Sequence, residues 1–325
     1  MLVSKMSKPI LVTCLVASML VGCGTKTTEK LNDKEQASFV NDVNKMVSNR
    51  GSGQELESTF KNKIMKLDKK HASDVLNAYM FSVQQDSGEL KVKMGPLQSD
   101  LLKVMKDKKV DVTKHESIDK LDDGLVKGLL AEAEKLHLKV KQDKGSETFY
   151  LAVDYQYVLD NYGEYMDDDL KTFLQFNKKQ SEHEIFDSKN EEFDLKEIAS
   201  QIKEIEKNES KWKDGNYKES WANSGRYLYS ILLGVDHTFF VEDGKMKPNI
   251  KKEFESIIKE NKGTQVAKML KDYLSIIEKQ NGQINEQVKN EAKDLSMKPF
   301  STYIDIEFGT EETSQQMEAP QENKQ

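Results

Sequence analysis

The stretch LKEIASQIKEIEK, residues 195–207, sets Leu195, Ile198, Ile202 and Ile205 three or four residues apart with charged residues between them. Side chains at that spacing stack on one face of a helix, so the pattern predicts an amphipathic helix whose apolar stripe must find a partner. Toward the C-terminus the pattern returns. Tyr217, Trp221, Leu228, Ile231 and Leu232 follow the turn Asp214-Gly215-Asn216, and a second turn stands at Glu242-Asp243-Gly244. Pro248 suits the first turn of a helix bearing Phe254, Ile257 and Ile258. Lys262-Gly263-Thr264 separates that helix from Val266, Leu270, Tyr273, Leu274 and Ile277. Tyr303 to Phe308 alternates at period two and predicts a strand, and the polar residues 309–325 predict a disordered tail.

Toward the N-terminus, Asn32-Asp33 is a helix start before Ala37, Val40, Val43, Met46 and Val47, and Arg50-Gly51-Ser52-Gly53 is its end. Leu56, Phe60, Ile64 and Leu67 form a second stripe, and Val75, Leu76, Tyr79, Met80 and Val83 a third. Asp86-Ser87-Gly88 reads as a turn, Glu89 to Met94 as a short strand, and Gly95-Pro96 as the opening of a helix with Leu97, Leu101, Leu102 and Met105. His115 to Lys135 predicts a helix weakened by Gly124 and Gly128. Leu136, Leu138 and Val140 alternate with polar residues, then Asp143-Lys144-Gly145 turns into Thr148-Phe149-Tyr150-Leu151, which predicts a hairpin or the start of an aromatic helix. The fold class predicted is mostly α, helical hairpins or a bundle with minor β elements. A weak helical repeat around Gly88, Gly163 and Gly244 is a further reading.

The first residues, MLVSKMSKPILVTCLVASMLVGC, place Lys5 and Lys8 before an apolar run from Ile10 to Val21 that closes on small residues and Cys23. The run is short for a membrane span and has the order of an export signal. Through Leu20-Val21-Gly22-Cys23 it resembles the signal and lipobox of bacterial lipoproteins. The resemblance implies cleavage after residue 22, diacylglyceryl and palmitate-type acylation of Cys23, and a lipid anchor at the extracytoplasmic face of the cell membrane. On that reading residues 1–22 are the signal peptide and 23–32 a lipidated tether. Residues 33–180 and 191–308 are two helical domains or subdomains, with the polar stretch Asn177 to Asn190 between them, and 309–325 is the tail.

Removing residues 1–22 leaves 303 residues, enough for a sizeable core without disulfides. The removed part holds two lysines and no acid, so 47 basic and 56 acidic residues remain, a charge of −9 against −7 for the whole chain. An acidic body excludes nucleic acid as the expected partner. Cys14 lies in the signal, which leaves Cys23 alone and removes thiolate catalysis and cysteine-ligated metals.

The five histidines show no HExxH and no i, i+4 pair, and no serine elbow, phosphate loop or dinucleotide fingerprint occurs. No catalytic residue, metal or cofactor is therefore predicted. The chemical candidates are His183 and Glu184, in the run Glu182-His183-Glu184 near Asp187, and His237, within Gly234 to Phe240. Asp167-Asp168-Asp169 reads as a helix N-terminus. Aromatic residues crowd two segments, Tyr150 to Tyr165 and Trp212 to Phe240, where they fill the core or line a groove. The candidate binding surface is Trp212, Tyr217, Trp221, Tyr227, Tyr229, Phe239 and Phe240. The function expected is a membrane-anchored lipoprotein that binds or scaffolds an envelope protein, peptide or glycan. The alternatives are an envelope hydrolase and an importer-associated solute-binding protein, the latter requiring two α/β lobes.

Overall fold

The computed structural model describes residues 29–122, 124–143, 145–235 and 238–303. Cys23, His237, all but the first residue of the strand expected over 303–308, and the tail lie outside them. The fold is predominantly helical, as the periodicity predicts.

In chain order the first helices are α1 (Asp33–Ser48), α2 (Gly53–Phe60), α3 (Lys69–Met94), α4 (Gln98–Asp107) and α5 (Leu125–Lys135). A hairpin follows, β1 (Leu138–Gln142) and β2 (Phe149–Val153), then α6 (Tyr155–Tyr162) and α7 (Asp168–Glu182). A minimal hairpin, β3 (Phe186–Asp187) and β4 (Glu192–Phe193), leads to α8 (Leu195–Lys207), α9 (Glu209–Trp212) and α10 (Lys218–Leu232). A third hairpin, β5 (Val241–Glu242) and β6 (Lys245–Met246), precedes α11 (Pro248–Glu260), α12 (Gln265–Lys279) and α13 (Glu286–Met297). Each sheet among the described residues has two strands, so the two α/β lobes that the solute-binding reading requires are not among them.

Local chemistry explains most helix starts. Asn32 with Glu35, and Ser52 with Glu55, form reciprocal capping boxes. Asp167 caps α7 by accepting from the Leu170 N–H, as the aspartate run predicts. Helix α8 buries Leu195, Ile198, Ile202 and Ile205 completely and packs them against α10, α11 and α12. The β5–β6 turn places Asp243 and Gly244 at φ of 50° and 75°, the left-handed pair that a two-residue hairpin turn requires.

Three expectations are corrected. The turn at Asp86–Gly88 and the strand over 89–94 belong to α3, which continues through both. Leu90 and Met94, four residues apart, are buried, while Val92 between them is 76% exposed. A six-residue alternation fits either period, and the length of the helix decides it. The helix expected over 115–135 divides into a 3-10 turn, His115–Lys120, and α5, with Gly124 at its start. Gly88 lies inside α3, Gly163 ends α6, and Gly244 sits in a hairpin, so the three glycines mark no common unit. Helix α13, which buries only Val288, Ala292 and Ser296, carried too thin an apolar stripe to be read from sequence.

One buried cluster runs from Phe39 to Phe300. Phe173 and Phe176 of α7 pack on Trp221 of α10, and the Tyr217 hydroxyl donates to the Ser73 carbonyl at 3.0 Å. No helix among the described residues is long and apolar enough to cross a membrane.

Candidate functional site

Three neighbouring concavities lie along α7. The largest, about 880 Å³, lies between α1, α3, α7 and α10 and is lined by Asn44, Asp74, Asn77, Phe81, Phe173 and Asn177 among others. A middle stretch of about 400 Å³ runs between α3, β2 and α7. A third, about 450 Å³, lies between β2, the segment after α7 and the middle of α10. The first two share Gln84, Tyr155 and Asn177; the last two share Ala152, Gln180 and Ser181; Ser224 borders the first and third. Together they form a continuous groove beside α7.

The lining is polar but nearly uncharged. With 49 lysines and arginines in 325 residues, about 5 would be expected among the thirty or so lining positions; there are none. The acids are Asp74, Asp143 and Glu184. Among the described residues the side chains of Asn44, Asp74, Asn77 and Asn177 form no hydrogen bond or ion pair with the protein, and all four line the groove. Burial raises the Asp74 carboxyl above its ordinary range, against the opposing pull of His71 and Lys70. Phe81 is 52% exposed at one end and Tyr227 62% exposed at the other. Large aromatics exposed beside free amides make a surface suited to contact with a partly polar ligand.

The far end of the groove is fixed. The Tyr150 hydroxyl donates to Glu184 Oε1 at 2.7 Å, and burial together with that carboxylate raises the Tyr150 pKa. Lys141 Nζ donates to the Ser181 carbonyl, and its burial lowers the amine below its usual range. Asp143 accepts from the Gly145 N–H at 2.8 Å and from the Ser188 hydroxyl. These bonds hold the β1–β2 hairpin against the end of α7.

The sequence-predicted residues separate accordingly. His183, Glu184 and Tyr227 come together in the third concavity. Trp212, Tyr217, Trp221, Tyr229 and Phe240 are at most 3% exposed. They pack the core, the other role open to them in the sequence, and are not contact residues. Phe239 is half-buried against Phe186 and Phe193.

A second cluster escaped the sequence. Glu57 of α2, 8% exposed, accepts from Tyr157 Oη at 2.6 Å, from the Tyr162 hydroxyl, and lies 2.9 Å from His137 Nε2. His137 stacks on Tyr157 with ring centroids 3.5 Å apart. Burial opposes the charge on Glu57, but the bonds from His137, Tyr157 and Tyr162 outweigh it and lower its pKa to about 2. Beside His137 lies a pocket of about 460 Å³ with Val112, Leu130 and Leu138 in its wall and Lys114, Lys135 and Lys139 around it. Of the charged groups there, Lys114 pairs with Asp111 at 3.6 Å, His115 with Glu134, and Lys139 with Asp154 at 2.7 Å. Among the described residues no group of three or more His, Cys, Asp or Glu is arranged to hold a metal ion. No family model, curated protein or solved structure matches this chain.

Proposed function

We propose that the protein is a lipoprotein held by acylated Cys23 at the extracytoplasmic face of the cell membrane, where its groove along α7 binds an extended, uncharged or cationic chain of another envelope component. The observation that carries this reading is the lining: open amides and a carboxylate, exposed aromatics at both ends, and no lysine or arginine. A ligand bearing phosphates or many carboxylates would meet acids there and no counter-charge. An acid–base role for the Glu57–His137 pair has weaker support. Its carboxylate is already taken by two tyrosines, and the imidazole is held between Glu57 and Tyr157.

Photo-crosslinking in cells tests the proposal. A benzophenone side chain at Asn77 should give a discrete adduct, and one at Lys135 should not. The Cys23→Ala protein should lose both lipid labelling and the adduct. Equal adducts from both positions, or none from Asn77, would remove the groove from the function. Undiminished lipid incorporation in Cys23→Ala would remove the anchor.

A further inference from the structure

The groove has a strand edge in its wall. In the hairpin, Leu138 pairs with Val153 and Gln142 with Phe149. The bonds that extend the ladder run from the Asp143 N–H to the Thr148 carbonyl and from the Asp154 N–H to the His137 carbonyl. In an antiparallel pair, directly opposed residues alternate between bonding each other and pointing their backbone groups outward. Thr148, Tyr150, Ala152 and Asp154 therefore face β1, whereas Phe149, Leu151 and Val153 turn their N–H and C=O groups away from it. Phe149 confirms that phase. Its N–H donates to Gln98 Oε1 at 2.7 Å, and its carbonyl accepts from Gln98 Nε2 at 2.9 Å, as from a neighbouring strand. The next two outward positions, Leu151 and Val153, line the middle of the groove, and no side chain among the described residues is bonded to them as Gln98 is to Phe149.

We propose that this edge of β2 is a docking edge for an extended polypeptide, which adds as a third strand by pairing with the backbone of Leu151 and Val153. The inference rests on the binding role of the groove and names the chemical class of its ligand. Strand addition draws affinity from backbone bonds and selectivity from the pockets that alternate side chains enter. Here one face of the added strand would meet Asn177, Gln180 and Ser181 on α7, and its ends would run toward Phe81 and Tyr227. The 15 residues of α7 span about 22 Å, the length of about seven extended residues. The lining lacks basic residues, so the segment should be poor in Asp and Glu. The hairpin is tied to α7 through Lys141, Tyr150 and Glu184, so the edge is preformed and ordering it on binding costs little.

The test selects binders to the full-length chain from a displayed random heptapeptide library and then follows backbone amide exchange. Selected peptides should slow exchange at the Leu151 and Val153 N–H groups and should be depleted in acidic residues. The substitution Leu151→Pro removes an outward N–H that the hairpin ladder does not use. It should keep the helical circular dichroism and weaken binding about tenfold or more. Methylating alternate peptide nitrogens provides the same test without altering the protein. Binding that leaves both amides unprotected and ignores methylation would overturn strand addition, while the groove remained a binding site. Selection of no peptide, with N-acetylglucosamine oligomers captured in the groove, would overturn the polypeptide and keep the proposed binding role. Protection that appears only as the protein dimerises would assign the edge to a second copy and also overturn the proposal.

Discussion

The two strands of the β1–β2 hairpin border different concavities. β2 faces the groove along α7, and β1 faces the pocket beside His137. Both hold polar groups on an apolar floor, yet those groups are used differently. Around His137, Glu57 is bound by two tyrosines and the imidazole, His115 meets Glu134, and Lys139 meets Asp154. In the groove, Asn44, Asp74, Asn77 and Asn177 are left open and lysine is absent. Polar groups already satisfied within the fold contribute stability and specificity of packing, whereas those left open at a concave surface are available to a ligand. On the proposed reading, one side of the hairpin serves structure and the other recognition.

The largest effect should come from breaking the closed side. Glu57→Ala strands two tyrosine hydroxyls and a histidine, and should destabilise the protein by about 3–5 kcal/mol in chemical denaturation. The same carboxylate gives a pH dependence. Its folded pKa of about 2 lies below the ordinary 4.5, so its stabilisation is complete above 4.5 and is lost as pH falls toward 2. Melting temperature should fall across that window in the native protein, and this component should vanish in Glu57→Ala. A loss under about 1 kcal/mol would place the cluster outside the structural frame and dissolve the contrast.

A smaller change in stability but a full loss of recognition is expected from Asn177→Lys. The position is half-buried on α7 at the join of two concavities. A lysine there should leave stability within about 0.5 kcal/mol and abolish capture of the peptides selected on the native chain. Retained capture would show that the missing positive charge is incidental. The smallest effect belongs to Lys139→Ala. Its ion pair with Asp154 is half-exposed on the lysine side, and such pairs contribute about 1 kcal/mol or less. Peptide capture should be unchanged, and a loss of capture would extend recognition across the hairpin.

Some apolar positions in the sequence marked the groove without being recognised as such. Val40 and Val47 fit the α1 stripe, yet they are only half-buried and line the first concavity, while Gln36 and Phe39 are buried in α1. The charged and amide-rich run from Asn177 to Asn190 looked like a boundary. Its first part is the end of α7, and Asn177, Gln180, His183 and Glu184 are groove wall. In both segments the residue types were legible and their surroundings were not.

What the sequence determined by itself is local: the stripe of Leu195, Ile198, Ile202 and Ile205, the helix starts at Asn32 and Asp167, and the Asp243-Gly244 turn. These features depend on residues a few positions apart, within reach of one helical turn or one hairpin. Only the tertiary structure decided which aromatics are buried, which strand edge opens into a groove, and which acid is held charged. Glu57 meets His137, Tyr157 and Tyr162 across 80, 100 and 105 residues. No periodicity spans such separations, because the packing of helices, and not the local conformation of the chain, brings those groups within bonding distance.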